Sequence, residues 1–208
     1  MVSDLTKITL PARKPIPEEV LQRYTAHYAK VIEERFNFKS SPENAESFAA
    51  VVRYTAHWRA AKEGLGDYPE RGLFLFGEPG TGKTTALQLF SGLCDVEMIT
   101  TDELSKAFAL KSGTGFWTLV DDYNTRHLIV DDLGCEENAK SFGNHLPIAD
   151  FIRERERLWQ NSRLLTLFTS NAQDRSSLSR KYGKNVCSRL LGMCDFLKFH
   201  GFDHRLKR

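Results

Sequence analysis

Gly77-Glu78-Pro79-Gly80-Thr81-Gly82-Lys83-Thr84 fits the pattern G-x-x-x-x-G-K-[ST] of a phosphate-binding loop. Before it, Leu73-Phe74-Leu75-Phe76 reads as a short buried strand; after it, Thr85-Ala86-Leu87-Gln88-Leu89-Phe90 reads as the opening of a helix. The chemistry needs that context. Glycines let backbone N–H groups close around the β- and γ-phosphates of a nucleotide, and the helix N-terminus adds its positive partial charge. Lys83 would reach the same phosphates, and the Thr84 hydroxyl would sit on Mg²⁺. The stretch therefore predicts a nucleoside-triphosphate site built from Gly77, Glu78, Pro79, Gly80, Thr81, Gly82, Lys83, Thr84 and Thr85. The bland alternative, a glycine-rich turn, gives no reason for the flanking strand and helix.

Around this loop, 208 residues that are 41% hydrophobic and 27% charged suit one α/β domain with a small appendage. A net charge of +2 imposes no global field, so any basic surface for nucleic acid must be local. Apolar runs are only a few residues long, which excludes a membrane span, and Val2 to Lys7 lacks the apolar core of a signal peptide. Cys94, Cys135, Cys187 and Cys194 show no metal-type spacing and read as buried thiols, as expected of a cytoplasmic protein.

Ahead of the loop, Glu18 to about Arg35 carries apolar residues at helical spacing. A second helix starts at Ser41-Pro42-Glu43 and runs to about Lys62. The pentapeptide Arg-Tyr-Thr-Ala-His occurs in both, at 23–27 and 53–57, too short to be a repeat. Residues 1–62 form a helical N-terminal segment, a candidate for partner binding, and 63–208 the catalytic core. From Gly72 on, strands expected at Leu73–Phe76, Val96–Thr100, Leu128–Val130, Leu164–Phe168 and Phe196–Phe199 alternate with helices. Those helices are expected at Thr84–Leu93, Asp102–Leu110 (N-cap Asp102 or Thr101), Leu146–Trp159 and around Asn185–Leu191. This is the pattern of a parallel sheet covered on both faces.

His127-Leu128-Ile129-Val130-Asp131-Asp132-Leu133-Gly134 is an apolar strand that ends in paired carboxylates. In a nucleotide-hydrolysing protein Asp131 would hold Mg²⁺, and Asp132 would polarise the attacking water as general base. A solvated Asp-Asp turn is the alternative. Leu164-Leu165-Thr166-Leu167-Phe168-Thr169-Ser170-Asn171 repeats the design, and Asn171 could orient that water or touch the γ-phosphate. A turn-forming Ser-Asn is the alternative there.

The order Gly-Leu-Phe-Leu-Phe-Gly-Glu-Pro-Gly-Thr-Gly-Lys-Thr, Leu-Ile-Val-Asp-Asp-Leu-Gly, Phe-Thr-Ser-Asn and Ser188-Arg189-Leu190 resembles the DnaC/IstB-like AAA+ ATPases over about residues 45–205. These are bacterial helicase loaders and transposition helper proteins. The resemblance implies a P-loop AAA+ core with ATP and Mg²⁺ as its cofactors. It also implies self-association into an oligomer, a replicative helicase or a transposase as client, and single-stranded DNA as a partner. It places Arg189 as an arginine finger that reaches a neighbouring subunit's nucleotide, and Arg205 as a further arginine near the nucleotide. The chain stops at Arg208, which leaves no room for the helical lid of many AAA+ proteins.

Lys111-Ser112-Gly113-Thr114-Gly115-Phe116-Trp117 offers a base and two aromatics that could meet single-stranded DNA in a central channel; a helix-ending glycine turn is the alternative. Arg153-Glu154-Arg155-Glu156-Arg157 alternates in sign, as a solvated helix face or subunit contact would. A small-molecule kinase or a nucleotide-dependent binding module would use the same loop, but the Asp-Asp and Thr-Ser-Asn strand ends argue for hydrolysis.

Overall fold

The computed structural model describes residues 11–36, 40–110, 114–135 and 147–201. Strands β1 (Gly72–Gly77), β2 (Met98–Thr100), β3 (Leu128–Asp131), β4 (Thr166–Ser170) and β5 (Cys194–Phe199) form one sheet in the order β2-β3-β4-β1-β5. Every pairing in it is parallel. Parallel strands need crossovers, and helices supply them on both faces. These are α3 (Lys83–Cys94), α4 (Thr101–Leu110), α5 (Thr114–Tyr123), α6 (Pro147–Ser162), α7 (Arg175–Tyr182) and α8 (Lys184–Met193).

Side-chain alternation sorts the strands onto two cores. Phe74, Leu128, Val130 and Phe168 face one cluster with Ile152 of α6 and Leu190 of α8. Leu73, Leu75, Ile129, Leu165 and Leu167 face the other, with Leu87 and Phe90 of α3 and Trp58. Trp58 belongs to α2 (Ala45–Lys62), which follows a 3-10 turn at Pro42–Asn44 whose N-cap is Ser41 with proline next, as expected. α2 is apolar on two sides: Val51, Tyr54 and Trp58 meet the core, while Val52, Ala56 and Ala60 meet Leu21, Tyr28 and Ile32 of α1 (Glu18–Phe36). The N-terminal helices are thus layered onto the sheet.

Several local expectations are corrected. β2 is shorter than Val96–Thr100, and β4 lies two residues later than Leu164–Phe168. The cap of α4 is Thr100, neither Asp102 nor Thr101. Its hydroxyl accepts from Glu103 N at 3.1 Å, and the Glu103 carboxylate accepts from Thr100 N at 2.8 Å, a reciprocal capping box. α7 is an additional helix, separated from α8 by Gly183 (φ 85°) and capped by Asp174, which accepts from Ser177 N. Of the four thiols, Cys94 and Cys194 are buried but Cys135 is exposed.

The alternating stretch on α6 is not a solvated face throughout, because Arg155 is fully buried. Its guanidinium donates to Thr166 Oγ1 (2.7 Å) and to the carbonyls of Tyr123 (2.7 Å), Arg126 (3.0 Å) and Leu165 (3.1 Å). Four acceptors, from the end of α5, the start of β4 and the loops beside them, replace the water the cation loses. Burial still lowers its pKa to about 10.

Candidate nucleotide site

The C-terminal edge of the parallel sheet carries the site. β1 ends at Gly77, where an added Cβ would lie 2.0 Å from Phe199 O of the neighbouring β5, so only glycine fits. The loop turns through left-handed backbone at Gly80 (φ 71°) and Gly82 (φ 94°) and enters α3 at Lys83. Lys83 is 4% exposed, and its ammonium donates to the carbonyls of Gly77 (2.9 Å) and Glu78 (2.7 Å). Burial lowers its pKa, against the opposing negative charge of Asp132 first and of Asp131 and Glu78 more weakly.

Thr84 Oγ1 donates to Asp131 Oδ1 at 3.0 Å, and Thr169 Oγ1 donates to the same oxygen at 2.5 Å. Asp132 follows at φ 59°, left-handed backbone that aspartate tolerates better than most residues. The turn is held on three sides: Asp132 N donates to Thr169 Oγ1 (2.9 Å), Thr101 Oγ1 to Asp132 O (2.8 Å), and Leu133 N to Thr169 O (2.8 Å). Asn171 Nδ2 lies 3.3 Å from Asp132 Oδ1 and 3.3 Å from Cys135 Sγ.

A cavity of about 530 Å³ joins these groups. Gly80, Thr81, Gly82, Lys83, Thr84 and Thr85 line it together with Asp132 and Asn171. Its volume suits a small-molecule ligand. The oxygen pair Thr84 Oγ1 and Asp131 Oδ1 is the hard donor set a Mg²⁺ ion takes. The lysine buried under backbone carbonyls and the α3 N-terminus are the positive groups a polyphosphate takes.

Arg189 lies elsewhere. It projects from α8, is absent from the cavity wall, and pairs with Glu156 of α6. Arg205 and Lys111-Ser112-Gly113 fall outside the described residues. Phe116 and Trp117 fall within the span of α5.

Residues that sequence reasoning missed complete the wall: Ser40, Ser41, Asn44 and Phe48 from the N-terminal segment, and Phe199 from β5. Asn44 is 2% exposed; its amide donates to Thr81 O (3.2 Å) and His200 O (2.8 Å) and accepts from His200 N (2.7 Å). The helix-start signature at Ser41-Pro42 marks this place in the chain but not what it touches.

No protein-family model and no curated protein sequence matches the chain. Among the described residues no helix is long and apolar enough to cross a membrane. Solved structures do match. DnaI is 20% identical with a TM-score of 0.58, over 91% of this chain and 94% of that one. The DnaC helicase loader is 17% identical with a TM-score of 0.57, over 79% and 94%. A protein from Streptococcus pyogenes serotype M3 described as a primosome component is 19% identical with a TM-score of 0.57, over 77% and 81%. At such identities the likeness speaks for the fold. The five-stranded parallel sheet flanked by helices is the fold this chain shares with the DnaC and DnaI structures.

Proposed function

We propose that this chain is an ATP-binding and ATP-hydrolysing AAA+ assembly factor, a DnaC-like helicase loader that works with single-stranded DNA. One observation carries the reading. Lys83, Thr84, Asp131, Asp132 and Asn171, drawn from three strand ends, converge at the C-terminal edge of one sheet. The likeness of the fold to DnaC and DnaI supports the loader class over a transposition helper.

In this reading the ammonium of Lys83 and the backbone N–H groups of 80–84 bind the triphosphate. Thr84 and Asp131 hold Mg²⁺, which when bound neutralises charge on the phosphate oxygens. Asp132 takes the proton of the attacking water, and Asn171, 3.3 Å from its carboxylate, fixes the direction of attack. Arg189 serves a neighbour's nucleotide, so an isolated subunit turns over slowly and the oligomer is the active form.

The experiment is ATP turnover by wild type and Arg189→Ala across protein concentrations, with and without single-stranded DNA. Specific activity that climbs with concentration or DNA, and collapses in the variant, is the expected result. Concentration-independent turnover insensitive to Arg189 would sink the proposal.

A further inference from the structure

We infer that Glu156 is a positioning residue for Arg189: it holds the guanidinium through Nη1 so that the exposed part of the side chain is presented to the neighbouring subunit's nucleotide. The inference rests on the reading of Arg189 as a finger acting in trans. It starts from the sheet. Arg155 is fixed by four hydrogen bonds to Thr166, Leu165, Tyr123 and Arg126, which hold α6 against the start of β4 and the end of α5. The next residue is Glu156. Its Oε1 accepts from Gln160 Nε2 at 3.1 Å, one helical turn on, and its Oε2 pairs with Arg189 Nη1.

Of the Arg189 nitrogens, Nη1 is on Glu156 and Nε is buried with no hydrogen-bond partner. The Arg189 side chain is 40% exposed, whereas that of Glu156 is only 14% exposed, so the carboxylate is the fixed partner and the guanidinium the presented one. A planar fork held at one edge loses less freedom when it meets a phosphate than a free side chain does. An exposed ion pair would add little, but this one is anchored through a helix whose seat on the sheet is itself fixed.

The test is steady-state ATP turnover by Glu156→Gln, Glu156→Asp and Arg189→Ala oligomers, with thermal melts of each and a mixing series against Lys83→Ala subunits. Lys83→Ala subunits keep an intact finger but lack a working site of their own. Glu156→Gln should lower kcat about tenfold, with KM and melting temperature close to wild type. Glu156→Asp should recover part of the loss. Adding Lys83→Ala subunits should restore turnover at the sites of Glu156→Gln subunits, because a neighbour then supplies a correctly held Arg189. Wild-type kcat in Glu156→Gln beside a slow Arg189→Ala overturns the inference while leaving the finger in place. Loss of kcat together with melting temperature, without recovery on mixing, makes Glu156 merely structural and also overturns it. Full activity in Arg189→Ala removes the finger reading and this inference with it.

Discussion

Thr84 and Asp131, 47 positions apart, meet at 3.0 Å, and Thr169 donates to the same carboxylate oxygen. Thr169 thus orients Asp131 while its hydroxyl also takes the Asp132 amide hydrogen. Groups that orient a metal ligand are worth about 10–100-fold in metal affinity. Thr169→Val should therefore raise the Mg²⁺ concentration for half-maximal turnover by about that factor. Asp131→Asn should raise it further. Turnover against Mg²⁺ concentration at fixed nucleotide checks both.

Asp132→Asn separates binding from chemistry. Asparagine accepts left-handed backbone as aspartate does, so the turn at φ 59° survives. A general base is worth about 10²–10⁴ in rate. Turnover should fall by at least about 100-fold, while affinity for a fluorescent ATP analogue stays near wild type. An unchanged rate would show that Asp132 is not the base.

Arg155→Met keeps the aliphatic stem and removes every donor. Thr166 Oγ1 and the Arg126 carbonyl would then lose this donor, whereas Leu165 O keeps Leu128 N (3.1 Å) and Tyr123 O keeps Arg126 N (3.4 Å). With about 1–3 kcal/mol for each of the two groups left unmet, the loss should be about 2 kcal/mol or more. Urea unfolding measures it, and a midpoint within error of wild type would refute this account of Arg155.

His127 gives the fold a pH limit. Its Nδ1 accepts from Leu165 N at 2.9 Å, and burial, with Arg155 adding repulsion, lowers its pKa from 6.5 to about 4. The folded state prefers the neutral ring, so this contribution is complete above pH 6.5 and is lost as pH falls toward about 4. His127→Asn, which keeps an acceptor but does not titrate, should flatten the fall in urea midpoint between pH 6.5 and 4.5.

What could be read in advance was local. Gly77 to Thr84 announces a strand, a turn and a helix within a dozen residues, and Asp131-Asp132 and Thr169-Ser170-Asn171 announce strand ends by an apolar run breaking into polar groups. The chain order of these motifs was enough for the fold, because a parallel sheet brings successive strand ends to one edge. Contacts between distant segments left no periodic trace. Nothing near Asn44 says that it meets Thr81, 37 residues on, or His200, 156 residues on. Arg155 sits in a run of alternating charge whose neighbours Arg153 and Arg157 are exposed, and only helical rotation turns it inward. Thr100 does not stand out as a cap in the sequence, because the strand runs straight into α4 with no loop between them.

Asn44 also has a consequence for how the molecule opens. His200 follows the last strand, a place where backbone hydrogens ordinarily exchange with solvent through fraying. Here the His200 N–H is donated to the Asn44 amide oxygen, while the same side chain's nitrogen holds His200 O and Thr81 O. Its exchange is therefore tied to the parting of three segments at once: the start of α2, the phosphate loop and the end of β5. In Asn44→Ala the His200 hydrogen should exchange at close to the rate of an unprotected amide, while those within β1 keep their protection.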